Sequence, residues 1–378
     1  MLDSQGIARS WSEVKSRRGR PKEHDTDGQA CMEPSCEYYK DTDGTHHALR
    51  WDGPRNRSEA TPSLECGACG RKHTLRLGRP MYRLKTASER VALATHLAMK
   101  GMSVADISEV LGHSEATITR WLERSGRHSE GLHESLFKQL VVVHIQVDEL
   151  CTRVRQAGQR VWVWTAQDAL SKAWLAWHVG QRTQADAHRL VHQVVQRLDK
   201  ACVPIFSSDG LRQYFYALTA HFGQWTQPQG KRQPVWQVLP DLLYGQLLKI
   251  RSGYHLKYVH TKMLCGTHAQ LTERLQQAGL SGHIQTAFVE RLNLTLCHLV
   301  AALHRRTWTL ASTGRSLRWR VALAAGYYNF GRPHHALRIP LSDGRYRRRT
   351  PAMALGLTGH PWSVREFLLQ PVYDGGLT

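Results

Sequence analysis

Three acidic side chains occur where a metal-dependent reaction on a phosphate group would need them. Asp148 ends the apolar run "VVVHIQVDEL", Asp209 follows "CVPIFSS", and Glu290 lies in "TAFVERLNLTL". A carboxylate at the end of a buried strand is costly unless something pairs with it. Three carboxylates around one point repel unless cations neutralise them, and such hard oxygen ligands select Mg²⁺ or Mn²⁺. The ordinary alternative is an exposed strand end, a turn at Asp209 and an exposed helix charge at Glu290.

The order of strands and helices between residues 135 and 310 predicts how these acids are positioned. Three strand-like segments come first, followed by a helix and by a strand that ends near Asp209. A second helix follows, then an insert at about 224–253, a strand near 255–261 and a last helix near 284–305. This order predicts an α/β fold of the ribonuclease-H-like class. In this fold the first and fourth strands are neighbours, so Asp148 and Asp209 would lie at the same edge of the sheet. Glu290 would reach that edge if the last helix packs beside the first strand. Two Mg²⁺ or Mn²⁺ ions there suit phosphodiester chemistry. Glu149 and Asp168 are the nearest alternative carboxylates.

Two cysteine pairs near the N-terminus have the spacing of a metal site. Cys31 and Cys36 lie in "CMEPSC", and Cys66 and Cys69 in "CGACG". Pro- or Gly-containing turns let thiolates converge, and two such pairs provide the four sulfurs that one structural Zn²⁺ favours. The sequence predicts a zinc ribbon over residues 31–82, in which a histidine could replace one thiolate: His46, His47 or His73. The alternative is four incidental buried cysteines, and the four later ones are expected in the core: Cys151, Cys202, Cys265 and Cys297.

The segment 83–128 has the pattern of three short helices. Capping-box spacings occur at Thr86 and Ser103, Gly112 breaks the second helix, and Ser114 can begin the third. A glycine-containing turn before the last helix predicts a helix-turn-helix, and three outward residues would then contact DNA: Thr117, Arg120 and Arg124. A protein-binding helical bundle is the alternative.

The basic arm, residues 1–30, contains "RRGRPK" at residues 17–22. Pro21 keeps this segment extended, and Gly19 removes a side chain that would obstruct a narrow groove. Arg18 and Arg20 could therefore follow an AT-rich minor groove, as in an AT-hook, where the negative potential is strongest. A solvated basic tail is the alternative.

The charge of the whole chain indicates a polyanionic partner. Lys and Arg total 51 against 31 Asp and Glu over 378 residues, a formal net charge of +20. Such an excess predicts salt-sensitive binding to nucleic acid. No apolar run approaches the ~20 residues of a membrane helix, and no secretory signal is visible. We therefore expect a cytoplasmic protein with reduced cysteines and no membrane partner.

Seven motifs in order resemble transposases of the Asp-Asp-Glu superfamily from bacterial insertion sequences, of the type with an N-terminal zinc ribbon and helix-turn-helix. The resemblance covers nearly the whole chain. It is carried by "RRGRPK", "IQVDEL", "FSSDGL", "PDLLYGQLLK", "TAFVERLNLTL", "YYNFGRPHHALR" and "RTPAMALGLTGHPWSVREFL".

The resemblance implies a catalytic triad of Asp148, Asp209 and Glu290, with auxiliary roles for Asn293, Arg332 and His334. Double-stranded DNA, as transposon ends and as target, would be the partner of a homodimer or higher oligomer. A basic C-terminal region, 311–378, would follow the catalytic domain. Cys297 departs from the family pattern, which has a basic residue at this position. A DNA-binding regulator without catalysis and a ribonuclease-H-like nuclease are the alternative functions.

Overall fold

The computed structural model describes residues 8–14, 25–54, 61–229, 232–252 and 255–373. Arg18 and Arg20 of the predicted AT-hook lie outside these residues. The chain divides into two compact units. Unit 1 combines Met1–Leu93 with Arg365–Thr378, and unit 2 is Ala94–Val364.

The described residues form strands in both units. In chain order they are β1 (Leu49–Pro54), β2 (Pro62–Cys66), β3 (Lys72–Thr74), β4 (His144–Arg153), β5 (Arg160–Asp168), β6 (Trp174–Gly180), β7 (Ile205–Ser208), β8 (Gly223–Thr226), β9 (Val235–Val238), β10 (Tyr244–Ser252), β11 (His255–Cys265), β12 (His334–Pro340) and β13 (Tyr346–Arg349).

The α-helices also follow in chain order. They are α1 (Trp11–Val14), α2 (Ser88–Met99), α3 (Val104–Leu111), α4 (Glu115–Leu136), α5 (Gln184–Arg197), α6 (Arg212–His221), α7 (His268–Gln277), α8 (Ala287–Leu299), α9 (Gly314–Gly326), α10 (Pro351–Ala354) and α11 (Val364–Leu369). A π-helical segment, Tyr327–Gly331, follows α9 directly. None of the helices in the described ranges is long and apolar enough to cross a membrane.

Unit 1 contains a small antiparallel sheet, ordered β1-β2-β3, and the C-terminal segment of the chain forms hydrogen bonds to residues outside this sheet in the same unit. The Val372 amide donates to the Gly78 carbonyl at 2.9 Å. The Ala30 amide donates to the Tyr373 hydroxyl at 3.0 Å, and the buried Arg79 guanidinium donates to the Leu369 carbonyl. Polar groups near the N-terminus and near the C-terminus of the chain therefore satisfy one another's hydrogen bonds within one unit.

Unit 2 contains a mixed six-stranded sheet in the order β11-β10-β7-β4-β5-β6. β4 pairs with β5 antiparallel and with β7 in parallel, so the predicted adjacency of the first and fourth strands is confirmed. The helices pack by amphipathic stripes. In α5 the buried positions recur every three or four residues, at Ala187, Leu190, Val191 and Val194. The observed class is α/β with flanking helices.

The segment predicted as an insert, about 224–253, lies only partly outside the main sheet. β10 lies within it and pairs in parallel with β7, so it is a strand of the main sheet. Only β8 and β9 form a separate two-stranded hairpin. β10 was overlooked because its outer half is partly exposed and carries polar residues such as Lys249, which obscure the apolar pattern of a buried strand.

The third helix is longer than the pattern of three short helices over 83–128 predicts, because α4 continues to Leu136. Its small residues allow a close approach to α9. A Cβ added to Gly126 would lie 2.7 Å from the Cβ of Trp319, and the Ser129 hydroxyl donates to the Ala322 carbonyl at 2.6 Å. Serine and glycine here serve close helix packing, although their composition is typical of a linker.

Helix α3 begins and ends at the residues that the sequence indicated, and α4 begins where it was expected. Ser103 caps α3 in a capping box with Asp106, and Gly112 ends α3 with φ 66° in the left-handed region. Ser114 then caps α4. The Thr86 capping box is not formed, since α2 begins at Ser88.

Candidate functional site

The acidic residues of β4 and β7 meet at one sheet edge. The parallel register places Gln146 beside Ser207, so Asp148 comes beside Asp209 two residues later. Asp148, Glu149 and Asp209 each offer a carboxylate oxygen within 4.8 Å of the others. Two predicted acids are thus brought together, and the third member of this close group is Glu149, which the sequence indicated only as an alternative.

Asp148 is held by two hydrogen bonds that fix both carboxylate oxygens. The Glu149 amide donates to Oδ1 at 2.9 Å, and Nδ2 of Asn293 on α8 donates to Oδ2 at 2.8 Å. Thr165 in turn donates to Oδ1 of Asn293 at 3.3 Å, which orients the amide. Burial, together with the charges of Asp209 and Glu290, raises the pKa of Asp148 to about 6. The site therefore disfavours its own negative charge when no cation is bound.

Glu149 lies on the opposite face of β4, because consecutive strand residues alternate. Its side chain is only 2% exposed and pairs with Arg182 at 2.6 Å, and the Tyr214 hydroxyl donates to it at 3.0 Å. Burial, followed by the charge of Asp209, raises its pKa to about 7. Neither Arg182 nor Tyr214 was identified from the sequence, since each stands in a segment with no motif around it.

Glu290 lies in the first turn of α8, outside the close group of acids. Thr286 donates to its carboxylate at 2.7 Å, and Lys249 of β10 forms an ion pair with the same oxygen. Burial acts against ionisation, but the bonds from Lys249 and Thr286 outweigh it and lower the pKa of Glu290. Glu290 is near enough for its charge to raise the pKa of Asp148. Its carboxylate is paired with Lys249 and not with any member of the acidic cluster that the structure describes.

Asp168 lies at the other end of the strand pair. It is opposite Ile145 in the register, whereas Asp148 is opposite Thr165. The three-residue separation corresponds to about 10 Å along a strand. Its carboxylate accepts hydrogen bonds from the Ser171 amide at 2.7 Å and hydroxyl at 2.6 Å. Asp168 is therefore a structural residue that closes a turn.

Arg332 and His334 follow the π-helical segment. The His334 ring meets the Tyr328 ring edge-on with centroids 4.5 Å apart. Burial, with the nearby cations Arg332 and Lys172, lowers the pKa of His334 to about 4. Of the three predicted auxiliary residues, Asn293 is the one whose hydrogen bond to an acid of the cluster is described.

The four N-terminal cysteines converge in unit 1. The Sγ atoms of Cys31 and Cys69 are 3.6 Å apart, and those of Cys36 and Cys66 are 3.7 Å apart. All four thiols lie within 4.8 Å of one another, and Cys69 alone is exposed. Gly70, with φ 72°, makes the turn between β2 and β3 that the second pair occupies. This cluster is suited to hold one metal ion.

The histidines considered as substitutes have other partners or positions. His46 pairs with Asp41, and the buried His47 lies 3.0 Å from the Thr26 carbonyl. His73 is in β3, and burial lowers its pKa to about 4. The donor set in the described residues is therefore four sulfurs.

The residues predicted to contact DNA lie on one side of α4. Arg120 is exposed, and Thr117 and Arg124 are half-buried. Thr117 accepts a hydrogen bond from the Ser114 hydroxyl at 3.0 Å. Burial, then the charge of Arg127, lowers the pKa of Arg124. Arg120 is thus the most accessible of the three.

Compared with models of known protein families, the chain matches none, and a comparison with curated proteins also gives no match.

Proposed function

We propose that this protein is a DNA transposase of the Asp-Asp-Glu type, which cleaves the ends of an insertion sequence and joins them to target DNA. The observation that carries the proposal is the closeness of two acids on neighbouring parallel strands: Asp148, which lies within β4, and Asp209, which directly follows β7. The sheet order and the seven motifs support a ribonuclease-H-like domain around them. The net charge of +20 supports DNA as the substrate.

The donor set of the acidic cluster fits divalent cations with hard oxygen ligands. Carboxylates this close repel one another, and the raised pKa values of Asp148 and Glu149 express that repulsion together with burial. Two Mg²⁺ or Mn²⁺ ions would supply charge neutralisation for attack on a phosphodiester. Asp148 and Asp209 would bind them, and Asn293 and Thr165 would keep the Asp148 carboxylate in one orientation.

Glu290 would complete the triad after exchanging Lys249 for a cation. Its carboxylate belongs to a helix that is tied to β4, because the Val289 amide donates to Gln146 at 3.0 Å. Glu149, by contrast, has a partner on each carboxylate oxygen, Arg182 on Oε1 and Tyr214 on Oε2, whereas both partners of Glu290 bind its Oε1. We therefore assign the third position to Glu290 and a supporting role to Glu149. The released Lys249 would then be free to contact a DNA phosphate.

The reaction would consist of two phosphoryl transfers in one pocket. In the first, water attacks a phosphodiester at the element's end, a P–O bond forms as another breaks, and a 3′-OH is released. In the second, this 3′-OH attacks a target phosphate and displaces a target oxygen. No covalent bond to the protein is needed.

The cysteine cluster would hold one structural Zn²⁺. Four sulfurs about 2.3 Å from a tetrahedral zinc lie about 3.8 Å from each other, close to the observed 3.6 and 3.7 Å. A hydrogen bond from Cys31 lowers the pKa of Cys66, which favours the thiolate form that a zinc ion binds. Metal analysis should find about one zinc, and Cys69→Ser should lose it. Zinc retained after both Cys66 and Cys69 are replaced would refute this site.

DNA recognition would reside in the N-terminal part of the chain, residues 1–130. Arg18 and Arg20 would follow the minor groove, while Thr117, Arg120 and Arg124 would present α4 as the recognition helix of a helix-turn-helix. Cleavage of two ends together requires a dimer or higher oligomer.

The test uses a duplex carrying the element's end, a target plasmid and Mg²⁺. Asp148→Asn, Asp209→Asn and Glu290→Gln should abolish cleavage and joining while end binding stays near wild type. Asp168→Asn, the matched control, should retain substantial activity. Glu149→Gln should retain more activity than Glu290→Gln. Joining that persists in EDTA or in Glu290→Gln would refute the assignment. Cleavage without joining would indicate a nuclease, and binding without either would indicate a regulator.

A further inference from the structure

Three histidines that play no part in the acidic or cysteine clusters lie together on one surface of unit 2. His188 and His192 are one turn apart on α5, and His221 ends α6. The His221 ring centroid is 5.6 Å from that of His188 and 5.6 Å from that of His192. His192 is exposed and the other two are half-buried, so solvent and ions reach all three.

These ring separations match those around a shared metal ion. A histidine nitrogen binds zinc at about 2.0–2.1 Å, which places the ring centroid about 3.2 Å from the ion. Two such rings around a tetrahedral ion are then about 5.2 Å apart, close to the observed separations of 5.6 Å. The ring nitrogens themselves do not yet converge, since in the described residues only the cysteine and acidic clusters have ligand atoms within 4.8 Å of one another. Rotation of the His188 and His192 rings about their side-chain bonds is the change that binding requires, since a hydrogen bond to Ala217 holds the His221 ring.

The hydrogen bonding of His221 leaves the correct nitrogen available. Its Nδ1 lies 2.8 Å from the Ala217 carbonyl oxygen, an acceptor, so Nδ1 carries the proton and donates it. Nε2 then has a free lone pair. A metal-binding histidine almost always donates its other ring N–H in this way, which fixes the tautomer and the direction of the ring.

The pocket beside His192 is lined by three arginines, Arg189, Arg197 and Arg318, and by two glutamates that offset part of their charge, Glu130 and Glu134. The closest basic residue in sequence, Arg189, forms an ion pair with the buried Asp186 at 3.1 Å. His188 and His192 have the i, i+4 spacing that places two side chains on one helix face. A third imidazole from a neighbouring helix converts that pair into a three-ligand site.

We propose that His188, His192 and His221 bind one divalent transition-metal ion, Zn²⁺ or Ni²⁺, and thereby connect α5 to α6. Three imidazoles favour such ions over Mg²⁺, which prefers oxygen ligands. The site is thus chemically independent of the acidic cluster. It does not rest on the proposed DNA chemistry, because its ligands and its ion are different.

The test is calorimetric titration of the full-length protein, with its cysteine-bound zinc retained, by Zn²⁺ and separately by Ni²⁺. Saturating Mg²⁺ is present throughout so that the acidic cluster does not contribute. Wild type should bind one additional equivalent, and His221→Ala should weaken binding at least tenfold. The triple variant His188→Ala, His192→Ala, His221→Ala should lose the equivalent. His283→Ala, an exposed histidine elsewhere in unit 2, is the matched control and should bind as wild type.

A second measurement shows whether the ion connects the helices. Ni²⁺ should raise the melting temperature of wild type and of His283→Ala but not that of the triple variant. The proposal is overturned if wild type binds no additional ion or if the triple variant binds as tightly as wild type. Because solvent reaches all three histidines, we expect their replacement by alanine to leave the fold intact. Circular dichroism of the variants checks this.

Discussion

Asp148 shows how one residue can be unfavourable for the fold and necessary for the site. Its pKa is raised to about 6 by burial and by the charges of Asp209 and Glu290. The folded chain therefore binds this proton more tightly than the unfolded chain, whose aspartates titrate near 4. The resulting stability is present below pH 4 and is lost as the pH rises through 6. A divalent cation would restore it by neutralising the cluster.

The first residue-scale prediction is that Asp148→Asn stabilises the protein in Mg²⁺-free buffer at neutral pH. We expect a gain of about 1–2.5 kcal/mol in the free energy of unfolding at pH 7.5, since a shift of about two pKa units corresponds to at most about 2.7 kcal/mol. The gain should disappear near pH 4.5, where the wild-type carboxyl is protonated. Urea unfolding across this pH range measures it. Parallel wild-type and variant curves would contradict the prediction.

The second residue-scale prediction concerns Asn293. Asn293→Ala removes the donor to Asp148 and the acceptor for Thr165. Loss of such a supporting partner typically weakens a metal site by about 10–100-fold. We expect the Mg²⁺ concentration for half-maximal cleavage to rise by that factor. Leu294→Ala, one residue along α8 and 61% exposed, is the control and should leave it unchanged. Equal effects of the two variants would mean that Asn293 has no role in positioning Asp148.

At the scale of elements, the packing of α4 against α9 depends on a residue without a side chain. Gly126→Ala would ordinarily gain about 1 kcal/mol of helix propensity. Here the new Cβ would lie 2.8 Å from the Trp319 carbonyl oxygen, which is backbone and cannot move aside cheaply. We expect a net loss of about 1–3 kcal/mol. Gly314→Ala, at the start of α9 with open space around it, should be neutral or stabilising in the same unfolding assay. A stabilised Gly126→Ala would contradict this account of the packing.

The strands and helices differ in how well the sequence predicted them. Strands β4 to β7 and helix α5 were predictable because their apolar patterns are strong, and strand order alone placed Asp148 beside Asp209. The continuation of α4 past Ser125 was not predictable, because serine and glycine lower helix propensity and their packing partner lies in α9. The ion pair of Lys249 with Glu290 was missed for a similar reason, since β10 was assigned to an insert.

At the scale of the whole molecule, the net charge of +20 sets the expected behaviour toward DNA. Each phosphate that a lysine or arginine neutralises releases counterions, so the logarithm of affinity falls linearly with the logarithm of salt concentration.

We expect Arg120→Ala to reduce discrimination between end DNA and random DNA. Arg18→Ala and Arg20→Ala should mainly weaken binding at AT-rich flanks and lower the salt slope by about one per contact. Fluorescence anisotropy with both duplexes at several salt concentrations measures these effects. Unchanged discrimination between the two DNAs by full-length Arg120→Ala at physiological salt would place specificity elsewhere.

The completion of unit 1 by the C-terminal segment has a consequence for synthesis. Residues up to Leu93 leave the ribosome long before Arg365, although both belong to the same unit. At about 5–20 residues per second, the intervening stretch takes roughly 15–55 s to translate. During that interval Gly78, Ala30 and Arg79 lack the partners that Val372, Tyr373 and Leu369 supply. A premature stop codon or frameshift upstream of residue 365 would therefore leave the opposite end of the polypeptide unfinished, and proteases that remove incomplete chains could recognise the defect there.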